Sequence, residues 1–136
     1  MKNELKLASS FPLKDGFTLK NRLIKTALSE GLAHPDGRPS KELIQLYRTW
    51  SQSGTGVLIT GNVMIDSRAI GEPGNVIIEN EKDFALIKEW ADVAKSGGSE
   101  IWMQINHPGK QAIRGLNKRI GYLQNSSVAC FLKIIN

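Results

Sequence analysis

The chain has 136 residues, 40% hydrophobic and 23% charged, an ordinary globular balance with enough apolar content for one modest core. Its formal charge of +5 sits wholly beyond residue 109, where Lys110, Arg114, Lys118, Arg119 and Lys133 meet no acidic residue. No aromatic platform is interleaved with these cations, so they read as a solvated tail and nucleic-acid binding is not expected. No apolar run reaches the roughly 18 residues of a membrane-spanning helix, and the polar start Met1–Lys6 lacks a signal peptide's apolar segment. A single cysteine, Cys130, excludes an internal disulfide or a multi-cysteine metal site within this chain. The expectation is a soluble, cytoplasmic, metal-free domain.

In chain order, Phe11 to Leu19 holds two short apolar pieces around Asp15 and Gly16, a pair that tolerates the positive φ of a tight turn, and predicts a small β-hairpin. Arg22 to Ser29 contains a short strand candidate. Ser40 then predicts the N-cap of a helix reaching about Ser53, with Leu43, Leu46, Tyr47 and Trp50 on one face. Val57 to Val63 is a nearly continuous apolar run, as suits a parallel strand covered on both faces. Asn80 is read as the cap of a second helix with Phe84, Ile87, Ala91 and Ala94 inward, stopped by Gly97 and Gly98. Glu100 to Ile105 is a third strand. Hairpin followed by β-α-β-α-β implies crossovers onto a parallel sheet.

The connections are unequal. Helix leads to strand through Gly54–Gly56 and Gly97–Ser99, whereas strand leads to helix through roughly ten residues the first time and more than fifteen the second. Ordinary α/β connections take about 2–6 residues, and in such folds the loops at the carboxyl ends of the strands build the active face. Polar or small residues gather at those ends: Thr26 and Ser29, Gly61 and Asn62, Gln104, Asn106 and His107. They mark a candidate site without naming a reaction. No dinucleotide fingerprint, phosphate loop, metal-binding pair or hydrolase triad is present.

Three segments, Leu19 to Ile24 after the hairpin, Val57 to Gly61, and Trp102 to Gln111 with its His107, Gly109 and Lys110, resemble the first three barrel strands of the Old Yellow Enzyme family. The likeness covers about residues 8–118 and is nearest to the bacterial and fungal NADH:flavin oxidoreductase branch, which includes relatives of 2,4-dienoyl-CoA reductase. The resemblance implies residues 1–118 to be the N-terminal part of an α/β fold, a (β/α)8 TIM barrel (closing hairpin, strands one to three, two helices). Whole barrels of this kind take about 250 residues. It also implies an FMN-dependent oxidoreductase that takes hydride from NAD(P)H and passes it to an activated alkene or similar small-molecule substrate. By the same resemblance Thr26, Ala27 and Leu28 line the flavin, Ser29 tunes its O4 environment, Gly61 lets the ring pack on the second strand, and Gln104 bonds its pyrimidine edge. Ala27 stands where some branches have proline, and Lys110 where arginine is common, a change that costs a bidentate contact. His107 is expected to anchor a loop, and Trp50, Trp90 and Trp102 to pack.

The family's substrate-binding histidine pair, tyrosine proton donor and phosphate-holding loops fall on later strands, so no catalytic residue is expected here. Residues 119–136 do not resemble the family's continuation, and a frameshift near Lys118 is the expectation for them; the apolar Val128 to Ile135 reads as a misplaced strand. The alternative to an active oxidoreductase is therefore an inactive, truncated chain that self-associates as a homo-oligomer through an unclosed sheet, whose bare parallel edge is an aggregation liability.

Overall fold

The computed structural model describes residues 6–14, 16–113 and 115–117, together with the backbone strand Val128–Lys133. Strands β1 (Phe11–Pro12) and β2 (Thr18–Leu19) form the expected antiparallel hairpin, pairing Phe11 with Leu19 and Pro12 with Thr18. Gly16 takes φ +83° in its turn, a conformation that costs glycine nothing. The Arg22 guanidinium lies 4.7 Å from the centre of the Phe11 ring.

A parallel core follows: β3 (Ile24–Lys25), α1 (Lys41–Ser51), β4 (Val57–Met64), β5 (Val76–Ile77), α2 (Phe84–Lys95) and β6 (Glu100–His107). Strand β6 runs parallel along one edge of β4 over almost its whole length. Strands β3 and β5 therefore share the other edge: β3 pairs at Val57 and Leu58, β5 at Val63 and Met64. Helix α1 starts where its cap predicts, with Leu43 N–H donating to Ser40 Oγ at 3.0 Å, a cap worth about 1 kcal/mol.

The two helices pack on one face of the sheet. Leu43, Ile44 and Tyr47 of α1 meet Trp90, Ala91, Val93 and Ala94 of α2 over Leu58, Val63, Ile101 and Met103. Tyr47 sits edge-on to both Trp50 and Trp90, with ring centres 5.0 and 5.2 Å apart. Each fully buried large apolar side chain contributes about 1.5–3 kcal/mol, so these residues hold the layers together.

Several expectations need correction. Helix α2 begins at Phe84 rather than just after Asn80, whose side chain instead accepts from Lys82 N–H in the preceding turn. Phe84 is 63% exposed; the buried stripe turns toward Trp90 and Val93. In α1, Ile44 takes the buried place expected for Leu46. The sheet also holds one strand that was not expected, β5, and the strand read at Val128 to Ile135 is present over Val128–Lys133. Strand β7 (Val128–Lys133) lies antiparallel along β6, from Val128 opposite His107 to Lys133 opposite Trp102. The β6 edge expected to be bare is paired.

Candidate functional site

The site begins with an irregularity in β4. Against β6, Ile59 pairs with Trp102 but the next pair is Asn62 with Gln104, so Thr60 and Gly61 together oppose Met103. An extra residue of this kind is a β-bulge. The Thr60 hydroxyl closes it, accepting from Gln104 N–H at 3.0 Å and donating to Gly61 O at 2.8 Å. Without the bulge, pleating would turn Asn62 toward the helices. With it, Ile59 and Asn62 share the face opposite the helices with Trp102, Gln104 and Asn106. Asn106 Nδ2 donates to Asn62 Oδ1 at 2.9 Å.

On the other edge of β4, the chain leaves the sheet after Lys25 and returns to pairing only at Val76. Residues 26–29 cross this gap as a bridge over Ile59 to Gly61. Two side chains pin the bridge where no strand can. Lys25 Nζ donates to Ile59 O at 2.8 Å, and Gly61 N–H donates to Glu30 Oε1 at 3.0 Å. The same Glu30 oxygen accepts from the Tyr47 hydroxyl at 2.5 Å and lies 3.7 Å from Lys25 Nζ. The Lys25 ammonium also lies 4.4 Å above the Trp50 ring.

Burial lowers the Lys25 pKa, and the Glu30 charge opposes that only in part. Burial, then the Glu30 charge and its hydrogen bond, push the Tyr47 hydroxyl far above the ordinary tyrosine range. Gly61 is what lets the bridge come so close. A Cβ there would strike Glu30 Oε2 and stand 2.5 Å from Leu28 O.

The site residues expected from sequence are thus brought to one rim. Thr26, Leu28 and Ser29 are exposed and Ala27 half-buried on the bridge; Gly61 is buried beneath it; Gln104 is half-buried on the open face beside Asn62. Ala27 to Ser29 make no backbone hydrogen bond among the described residues, and neither does the Gln104 side chain. His107 anchors the next turn, its Nδ1 accepting from Gly109 N–H at 3.1 Å. Its Nε2 lies 4.0 Å from Asp66, a carboxylate held below its usual range first by its hydrogen bonds to Arg68. Lys25, Glu30, Tyr47 and Thr60, the residues that shape the rim, were not expected. Their partners lie far along the chain, and no local period connects residue 30 to residues 47 and 61. Among the described residues no cluster of three metal-ligating side chains occurs, and no helix is long and apolar enough to cross a membrane.

Hairpin, alternating strands and helices, and long carboxyl-end loops together are the opening portion of a (β/α)8 barrel. Old Yellow Enzyme from Trypanosoma cruzi shares this fold with a TM-score of 0.72 at 23% identity, over 82% of this chain and 29% of that one. Morphinone reductase, solved in complex with tetrahydroNAD, does so with a TM-score of 0.69 at 22% identity, over 80% of this chain and 29% of that one. Residues 7–129 match the NADH:flavin oxidoreductase / NADH oxidase family, and the chain belongs to it. An NADH-dependent flavin oxidoreductase of Hypocrea jecorina, iliE, is 32% identical over 90% of this chain and 31% of its own length. Another from Aspergillus parasiticus, nadA, is 39% identical over 67% of this chain and 23% of its own length. The chain therefore spans about a third or less of the curated relatives it matches.

Proposed function

We propose that this rim forms one wall of an FMN site in an oxidoreductase that draws hydride from NAD(P)H and delivers it to an activated alkene or similar small acceptor. The observation that carries the reading is the stretch Ala27 to Ser29, whose backbone has no hydrogen bond among the described residues and which is held against β4 at Gly61. Gln104 is paired next along β4 at Asn62, and its side-chain amide is likewise without a partner among those residues. Exposed backbone groups outside regular pairing are open to a ligand in place of water, and a flat heterocycle with donors and acceptors on one edge fits such a rim. FMN, when bound, supplies the acceptance and donation of hydride, and the protein supplies orientation and electronics.

In this reading the Gln104 amide bonds the polar edge of the ring, the bridge backbone from Thr26 to Leu28 lines it, and the Ser29 hydroxyl faces its O4 side. The exposed Leu28 offers apolar contact. Gly61 serves the ring through the bridge, because Glu30 and the Leu28 carbonyl fill the space beside it. No described residue here is assigned a proton-transfer role. A cytoplasmic setting belongs to the same proposal.

A second reading concerns the chain by itself. Strand β7 runs antiparallel on the β6 edge, where a (β/α)8 barrel places its next strand parallel. That favours a chain that binds flavin without turning over, with copies associating through the open sheet face. Titrating FMN and riboflavin into the purified chain while following fluorescence and the visible spectrum tests the site. Quenching by both is expected, since ring contacts dominate. Unchanged spectra at protein excess would refute the flavin reading, whereas NAD(P)H-driven bleaching of a bound flavin would refute the silent-chain reading. Light scattering reads the association.

A further inference from the structure

The gap in the β4 edge holds an arrangement that packing alone does not call for. A carboxylate whose side chain is 9% exposed sits beneath the bridge and draws partners from three elements: Lys25 of β3, Tyr47 of α1 and Gly61 of β4. A buried ion pair adds little net stability compared with apolar packing, and its best use is to fix one geometry among several. Here the geometry fixed is that of Ala27 to Ser29. Lys25 ties one end of the bridge to Ile59 O, and Glu30 ties the other to Gly61 N–H. Between these two ties the backbone has no other hydrogen bond among the described residues.

We infer that Glu30 is a positioning residue: its carboxylate, clamped by Tyr47, Gly61 and Lys25, sets the height at which the bridge backbone meets a planar heterocyclic ligand. The ligand half of this inference rests on the flavin reading above; the clamp itself does not. Glu30 touches no ligand in this account and acts through Leu28 and Ser29. The clamp needs an acceptor at one place more than it needs a charge. A glutamine keeps an oxygen for Gly61 N–H and the Tyr47 hydroxyl. An alanine leaves both donors unpaired and Lys25 buried without a counter-charge. An aspartate keeps the charge but draws the oxygen back by one methylene.

The experiment compares the 136-residue chain with Glu30→Gln, Glu30→Asp and Glu30→Ala by hydrogen–deuterium exchange without ligand and by riboflavin quenching. Glu30→Ala and Glu30→Asp are expected to speed exchange at Gly61, whose N–H donates to Glu30 Oε1, by about tenfold or more, the scale of one lost hydrogen bond, while α1 and α2 stay protected. Riboflavin affinity is expected to fall in parallel, and Glu30→Gln to restore both. A merely structural role would lower global stability in all three variants without singling out the Gly61 amide. Should Glu30→Ala not fold, Glu30→Asp against Glu30→Gln carries the comparison. Wild-type exchange rates at Gly61 in Glu30→Asp, or undiminished riboflavin binding by a folded Glu30→Ala, would overturn the inference. A wild-type chain that binds no riboflavin would refute the flavin reading, and the exchange data would still decide whether Glu30 is the clamp.

Discussion

Alanine at Gly61 perturbs the rim with a single carbon, and its cost can be worked from the contacts. The new Cβ would strike Glu30 Oε2 and stand 2.5 Å from Leu28 O, far inside ordinary van der Waals separation. The Leu28 oxygen is backbone and cannot swing aside, so the bridge must lift, whether or not Glu30 also withdraws. Lifting the bridge carries the usual overpacking cost of about 1–3 kcal/mol. Withdrawing Glu30 also gives up its hydrogen bonds from Gly61 N–H and the Tyr47 hydroxyl, each worth about 1.5–3 kcal/mol because the acceptor is charged. A loss of about 1–3 kcal/mol from lifting is expected, rising by about 3–6 kcal/mol where both hydrogen bonds are also lost, a large share of the 5–15 kcal/mol typical of a domain.

Urea unfolding followed by tryptophan fluorescence measures it, with Gly115→Ala as control, since a Cβ there meets nothing within 4 Å. The control is expected to stay within about 0.5 kcal/mol of wild type. In a Glu30→Ala background the Gly61→Ala cost should shrink but persist, because the Leu28 contact remains, and such non-additivity is the mark of coupled neighbours. If Gly61→Ala unfolds with the wild type, the bridge is not held against β4 and the account of the rim fails.

Tyr47→Phe tests the same clamp through pH. The folded chain keeps the Tyr47 proton that the unfolded chain releases near pH 10, so this group's contribution falls as pH rises past 10, by about 1.4 kcal/mol between pH 9 and 11. Lys25 acts in the opposite sense, its lowered pKa making its burial cost fade as pH climbs toward 10.5. Since Tyr47→Phe removes only the first effect, the stability gap between wild type and variant should narrow by that amount across the window, and parallel urea midpoints at pH 9 and 11 would refute it. Thr60→Val, nearly isosteric, leaves Gln104 N–H and Gly61 O unpaired in the bulge and should cost about 1–3 kcal/mol in the same assay; a neutral result would mean the bulge closes without the hydroxyl. Removing residues 119–136 deletes β7 and bares the β6 edge, so the shortened chain should aggregate faster by light scattering at equal concentration; unchanged solubility would argue against that pairing.

Much of the layout is legible in the sequence because it rests on local rules. Ser40 announces α1, and the Asp15–Gly16 pair announces the hairpin. The glycines after each helix and the apolar run from Val57 mark the next elements. What local rules miss has a common cause. Strand β5 is two residues long, within a loop, and exists only because β4 has a vacant edge at Val63 and Met64. Phe84 satisfies the period of an inward face yet stands exposed on the first turn of α2, since period reports phase and not whether a partner reaches that turn. Asn80 has a cap's chemistry and uses it on the turn before the helix.

The rim shows the same division at finer scale. That residues 26–29, Gly61 and Gln104 converge follows from strand order and carboxyl-end loops, which a sequence can reveal. How they converge depends on one inserted residue in β4. The bulge moves Asn62 to the open face, and the same two residues, Thr60 and Gly61, meet the side chains that replace missing strands: a hydroxyl toward β6, a carboxylate toward the bridge. Glu30, alone in the sequence, reads as one more loop acid. Placed against an alanine at position 61 it would have no room, and without Glu30 the Gly61 N–H would face an uncovered edge. Each residue accounts for the other. The pair, rather than either member, is therefore the feature to look for in chains whose first strand ends as early as β3 does here.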